Sequence, residues 1–277
     1  MAGRRPSAAA ARRGRPAHTP SSCVSPDPLG SDLEILHNLV LPRRFCGPPA
    51  SANGGYAAGS LARFVEGPAR VRLIAAPPLD VPLTVHVTAG RAELWDGETK
   101  IALAEAAEPD VVPPAPVTLA EAEQAARGSA ARLGTSPHHT CFVCGPRDDG
   151  LNIHPGAVPG RGVLAAPWTV APWLAGPDGR VPDVFVWAAL DCPGGWAADP
   201  TLSTRLVLGT MTARIVAPVH VGEELVAVGW SRSREGRKHR VGSAVFGGDG
   251  ELRGLAEAVW IAIGEPGEGA GRRASWG

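Results

Sequence analysis

From Gly54 to Ala62 the chain places small and apolar residues one after another, with no charge until Arg63. A helix written this way has no polar face, so it has to be covered on every side. Beyond it the pattern turns β-branched. Val71 to Ile74, Val81 to Thr88, Ala92 to Trp95 and Ile101 to Ala106 predict strands, and Asp96-Gly97 between the last two predicts a tight hairpin turn. Later the order returns: strands are expected over Thr210 to Ala217, Glu224 to Trp230, Arg240 to Phe246 and Leu255 to Ile263, with a turn at Asp249-Gly250. A second helix is expected to start near Asp191 to Gly194.

The parallel extends to the letters. Asn53-Gly54-Gly55-Tyr56-Ala57-Ala58 returns as Pro193-Gly194-Gly195-Trp196-Ala197-Ala198, displaced by 140 residues, and Ile74-Ala75-Ala76-Pro77 returns as Ile215-Val216-Ala217-Pro218, displaced by 141. Asp96-Gly97-Glu98 and Leu103-Ala104-Glu105-Ala106 return as Asp249-Gly250-Glu251 and Leu255-Ala256-Glu257-Ala258, displaced by 153 and 152. Three blocks in one order predict a tandem repeat, each copy a buried helix followed by an antiparallel meander. Boundaries follow from composition: a disordered basic extension over 1–32, a first repeat over 33–110, a linker over 111–137, a second repeat over 138–263 and a disordered tail over 264–277. Within the linker, Val111 to Pro116 is Pro-rich and extended, and Leu119 to Leu133 has helical composition.

Composition narrows the class. With 277 residues, 44% apolar and 19% charged, the chain is an ordinary globular sequence with room for two domains, and its 35 Gly and 28 Pro favour strands and turns. Basic and acidic residues both number 27, so no bulk field exists to hold nucleic acid or a membrane. Five of the basic and one of the acidic residues fall in 1–30, leaving 22 against 26 and a mildly acidic body. The N-terminal stretch has no continuous apolar segment and reads as a simple extension rather than a secretory signal, with an organelle transit peptide as the alternative. No stretch reaches the ~20 apolar residues of a spanning helix. Five cysteines, an odd number, argue against a disulfide framework and point to a reducing, cytoplasmic setting.

Cys141-Phe142-Val143-Cys144-Gly145 with Gly150-Leu151, and then Ala189-Leu190-Asp191-Cys192-Pro193-Gly194-Gly195-Trp196-Ala197, is similar to the thioesterase-like branch of the hotdog superfamily. Asn53-Gly54-Gly55-Tyr56 resembles the helix start that many hotdog thioesterases carry with His in place of Asn. The similarity spans roughly Leu33 to Ile263. It implies an α+β double hotdog, two curved antiparallel sheets each wrapping a central helix, with the site between the copies. It further implies an acyl-CoA or carrier-bound acyl thioester as substrate, water as co-substrate and no cofactor or metal; a homodimer of such tandem chains is compatible with it. Asp191 is followed five residues later by Trp196 rather than His, which lowers a dehydratase reading.

Residue types then suggest roles. Asp191 is the candidate base or nucleophilic carboxylate, or a cap for the glycines that follow it. Gly54-Gly55, and Gly194-Gly195 in the second copy, either line an oxyanion hole at a helix N-terminus or let a helix pack tightly under a sheet. Asn53 caps the first helix and also has an amide to offer the substrate. Tyr56 and Trp196 are candidate substrate contacts. Arg237 and Lys238, in a basic run from Arg232 to Arg240, either sit on a solvated hairpin or meet the phosphates of coenzyme A. Cys141-x2-Cys144, with His138, His139 and His154 nearby, supplies half a tetrahedral zinc site but lacks a second paired motif, and the resemblance explains these cysteines as part of a first strand and its turn. Cys192 reads as a small core residue. No serine-hydrolase elbow, dinucleotide fingerprint or phosphate-binding loop is present. The main rival function is a non-catalytic protein that binds an acyl thioester or another apolar ligand.

Overall fold

The computed structural model describes residues 35–264, so the expectations for 1–32 and for nearly all of the tail fall outside them. Strand β1 (Ile35–Leu39) precedes helix α1 (Gly54–Ala62), which is followed by β2 (Ala69–Leu73), β3 (Leu83–Thr88), β4 (Arg91–Asp96) and β5 (Thr99–Ala106). After α2 (Leu119–Arg127) come β6 (Gly156–Ala157), β7 (Leu164–Thr169), helix α3 (Asp183–Ala198), and then β8 (Leu206–Ile215), β9 (Glu224–Glu235), β10 (Lys238–Gly247) and β11 (Leu252–Ala262).

All eleven strands belong to one sheet, in the order β1-β3-β4-β5-β2-β8-β11-β10-β9-β7-β6. The first half therefore runs β1-β3-β4-β5-β2 and the second β7-β9-β10-β11-β8, the same order twice, as the repeated blocks predict. The halves meet at β2 and β8. Antiparallel pairing from Ala69 opposite Ala213 to Arg72 opposite Thr210 fuses the two expected sheets into one. The fold is a hotdog-like α+β architecture.

Each half covers one helix. Helix α1 is buried over Gly55 and Ala57 to Ala62, because its uncharged surface meets β2 and β5 on one side and α3 on the other. The two helices run antiparallel and touch: a Cβ on Gly55 would lie 2.5 Å from the Asp191 Cβ, and one on Gly59 would lie 2.6 Å from the Trp187 Cβ. Leu61, with no exposed surface, belongs to the main hydrophobic core. Leu61→Ala is expected to cost about 2–5 kcal/mol, measured as a fall in Tm; an unchanged Tm would mean that α1 is not held there.

Several expectations need correction. Helix α3 begins at Asp183, not between Asp191 and Gly194, because Val184 to Leu190 is itself the first half of the helix. A continuous apolar run lacks the period that separates a buried helix from a buried strand. The Asp96-Gly97 turn is shifted by one residue: Asp96 pairs with Thr99, so Gly97 and Glu98 form the loop, with Gly97 at φ +56°. In the basic run from Arg232 to Arg240, Glu235 pairs with Lys238, so Gly236, at φ +56°, and Arg237 form the hairpin loop. Asp249-Gly250 lies in a longer loop between β10 and β11. Cys141 and Cys144 occupy a turn rather than a strand.

The linker does more than connect. Thr118 and Glu121 form a capping box that starts α2, and Ala122 and Ala125 with Val117 pack on Val163, Ala165, Val226 and Val228, sealing the outer face of the second half. Among the described residues no helix is long and apolar enough to cross a membrane.

Candidate active site

Where α1 begins, it meets the middle of α3 beside a cavity of about 1310 Å³. Its wall is shared by both halves. Asn53 and Gly54 come from the start of α1, Asp191 and Gly195 from α3, Arg72 from β2, and Leu208 and Thr210 from β8. Glycine is required at position 55, since the Asp191 side chain and the Trp187 carbonyl occupy the space a Cβ would take.

Asp191 is fully buried, on a helix whose neighbouring turns are apolar. One carboxylate oxygen, Oδ2, accepts from the Asn53 amide at 2.9 Å and from the Gly55 backbone N–H at 3.0 Å. The other, Oδ1, has no hydrogen-bond partner among the described residues. Burial pushes the Asp191 pKa up to about 7, with the Gly55 and Asn53 hydrogen bonds opposing the shift and the nearby Cys141 adding to it. The carboxyl is thus fixed at one end and free at the other.

The N-terminus of α1 distributes its donors. Asn53 caps the helix, its Oδ1 accepting from the Tyr56 N–H at 2.9 Å, and its carbonyl accepts from the Ala57 N–H at 2.9 Å. Gly55 donates to Asp191. Of the first N–H groups of the helix this leaves that of Gly54, on the cavity wall, as the donor without a partner among the described residues.

Two thiols of a buried group of three lie beside the Asn53 amide. Its Nδ2 lies 3.8 Å from both the Cys141 and Cys192 sulfurs, which are 3.6 Å apart, and Cys144 completes the group. The Cys144 and Cys192 thiols turn toward Cys141 and hold its pKa well below the usual thiol value against the effect of burial. The same contacts push Cys144 and Cys192 well above it. Cys192 is a core residue as expected, but it is also the meeting point of α3 with the Cys141 turn. His138 stands on the same wall, its pKa lowered by burial.

The other candidates divide. Gly195 and Trp196 lie on the cavity wall, and Arg237 and Lys238 lie at its exposed rim with Arg205 and Arg240. Gly194 and Tyr56 are not on the wall. Gly194-Gly195 sit within α3, where a Cβ would strike Val241 at position 194 and the Trp260 ring at position 195; their smallness lets β10 and β11 close on the helix, and they are not at a helix start. Tyr56 stacks on Phe45, with ring centroids 4.2 Å apart, in a cluster with Phe142 and Phe185. Among the other tryptophans, Trp168 is a fully buried core residue and Trp173 stacks under Arg44. Leu208, Thr210 and Trp260 belong to the wall and were not singled out from the sequence. Leu208 and Thr210 lie on β8, which pairs with β2 of the other half, and Trp260 lies on the adjoining β11; nothing in their residue types marks that position.

No protein-family model matches the sequence, and no curated protein matches it. Solved structures do match the fold. A tesB protein of Mycobacterium avium subspecies paratuberculosis is 12% identical, with 83% of this chain and 93% of that one covered at a TM-score of 0.54. An acyl-CoA thioesterase II of Mycobacterium marinum, TesB2, is 13% identical, with 84% and 94% covered and a TM-score of 0.54. With the repeated strand order and the carboxylate held between two helices, these matches give the chain the hotdog-type fold of the thioesterase II structures.

Proposed function

We propose that the protein is a thioester hydrolase of tandem-hotdog type, acting on an acyl thioester of coenzyme A or of a carrier, with Asp191 activating water between the repeats. One observation carries this reading: a residue lining a cavity built by both halves carries a buried carboxylate that is tethered through Oδ2, while its Oδ1 has no hydrogen-bond partner among the described residues. Asp191 takes a proton from water as the hydroxyl adds to the thioester carbonyl carbon. The carbonyl oxygen becomes an oxyanion, and the Gly54 N–H at the positive end of α1 is the donor for it. Collapse breaks the C–S bond, and the leaving thiolate takes the proton back from Asp191. Gly55 holds the base, so the oxyanion role expected of both glycines falls to Gly54.

The size of the cavity suits an acyl chain with part of its carrier arm. At the rim, Arg205, Arg237, Lys238 and Arg240 offer a basic entrance for phosphates. Incubation with a panel of acyl-CoA esters, following the free thiol, tests the reading: release above background from at least one ester supports it, and none from any chain length would leave a binding protein. Reversing charge at the rim in the double variant Arg237→Glu, Lys238→Glu is expected to raise KM about tenfold with kcat nearly unchanged, and the difference should shrink as salt is added. An unchanged KM at low salt would remove these residues from the binding surface.

A further inference from the structure

We infer that Cys141, Cys144 and Cys192 form a three-sulfur binding site for a soft divalent cation, zinc above all, that ties the turn at residues 141–145 to helix α3. The sulfurs of all three lie within 4.8 Å of one another and are buried. An ion bound to thiolates at ~2.3 Å in tetrahedral geometry requires sulfurs about 3.8 Å apart. Cys141 and Cys192, at 3.6 Å, already stand at that spacing.

Two further features distinguish this group from three core thiols packed by chance. Buried cysteines that only fill space need no hydrogen-bond donor, yet one stands beside two of these sulfurs. The Asn53 amide nitrogen stands 3.8 Å from both the Cys141 and the Cys192 sulfur. Such an N–H group beside sulfur is what a thiolate–metal site uses to set its ligands. The Cys-x2-Cys turn is also shaped for chelation: the Gly145 N–H closes it onto the Cys141 carbonyl at 2.8 Å, and a Cβ on Gly145 would lie 2.6 Å from the Cys141 and His139 carbonyl oxygens.

The location gives such a link a purpose. Between α2 and β6, residues 128–155 contain no helix or strand, a length of irregular chain that compact domains seldom carry without an anchor. The Cys141 turn sits in the middle of it. Cys192 is the point of α3 that this turn reaches.

Thiolate ligands select zinc, copper(I) or iron–sulfur clusters. Clusters of that last kind take four cysteines as a rule, and Cys46 is turned away, its sulfur contacting the Thr140 carbonyl at 3.2 Å and the Arg147 guanidinium at 3.3 Å. Three sulfurs leave a fourth position, and all three cysteines stand on the cavity wall, so that position is open to water or a small thiol. Binding forms three metal–sulfur bonds and releases the protons of those sulfurs still present as thiols, with no change of oxidation state.

The test uses the full chain, reduced with a phosphine and stripped of metal, titrated with cobalt(II) as a spectroscopic stand-in and then with zinc. Expected are a sulfur-to-cobalt charge-transfer band and tetrahedral visible bands saturating at about one ion per chain, both removed by zinc. Cys141→Ser and Cys192→Ser should abolish the bands, and Cys46→Ser should keep them. In the parent protein, where folding is not in question, zinc should protect Cys141, Cys144 and Cys192 together from alkylation, read by peptide mass spectrometry. No cobalt bands from reduced, folded parent protein, bands that survive Cys192→Ser, or an alkylation pattern unchanged by zinc would each overturn the site.

Discussion

Asp191→Asn is expected to lower kcat for the best acyl-CoA ester by about 10²- to 10⁴-fold, the range for removing a general base, while leaving the fold intact. Asparagine has the same shape, and its carbonyl oxygen accepts the Asn53 and Gly55 hydrogen bonds that now reach Oδ2. What changes is Oδ1, where a proton acceptor becomes an NH2 group with no lone pair to offer water. Tm should stay close to that of the parent or exceed it, because the variant removes a desolvated ionisable group while a neutral amide takes its unpartnered place. Measuring kcat and Tm on the same preparation separates chemistry from stability. Activity at the parent rate would sink the role of Asp191 as base, and a large drop in Tm would show that its ionised form holds the helices together.

The second large effect is steric. In Gly55→Ala the new methyl would stand 2.5 Å from the Asp191 Cβ, 2.6 Å from the Trp187 carbonyl oxygen and 3.1 Å from the Ala188 Cα. Two of those three are backbone atoms, so no rotamer change relieves the contact and α1 must move off α3. Overpacking costs typically about 1–3 kcal/mol, and here the upper end is expected, a fall in Tm of about 6–12 °C. Because the Gly55 N–H moves with the helix, kcat should fall as well. Gly54→Ala is the comparison: its methyl would stand 2.9 Å from the Leu208 side chain and 3.5 Å from Asp191 Oδ2, with no backbone atom among its nearest neighbours, so its Tm should fall less. Equal Tm values for the parent and Gly55→Ala would mean that the helices are not in contact at this point.

The repeated blocks in the sequence located the two meanders, and the uncharged run from Gly54 to Ala62 located α1, because a helix without a polar face leaves a plain mark. The start of α3 was hidden for the opposite reason. Val184 to Leu190 has no period, and Pro193, an ordinary helix breaker, sits inside the helix where Gly229 of β9 presses against its carbonyl with no Cβ in the way. Asp191 stood out in the sequence as a carboxylate beside a Gly-Gly pair. Its partner was not legible: the N–H that donates to it belongs to Gly55, 136 residues earlier, and not to Gly194 or Gly195. The convergence of Cys192 on Cys141 and Cys144 joins a helix to a turn 51 residues away, a proximity that spacing along the chain cannot reveal. The pairing of β2 with β8 was hidden likewise, since neither strand carries a mark of its partner.

The β2–β8 seam bears on how such a site survives dilution. When two separate chains supply the halves of a cavity, the population of complete sites follows mass action and falls with protein concentration. Here Arg72 and Thr210 face each other across a seam whose two sides are covalently tied, so closing it is a folding event and independent of how many molecules are present. The tether also frees the two halves from matching. A change at Asn53 is made once, not mirrored on α3, so one half has been able to supply the helix end and the other the carboxylate.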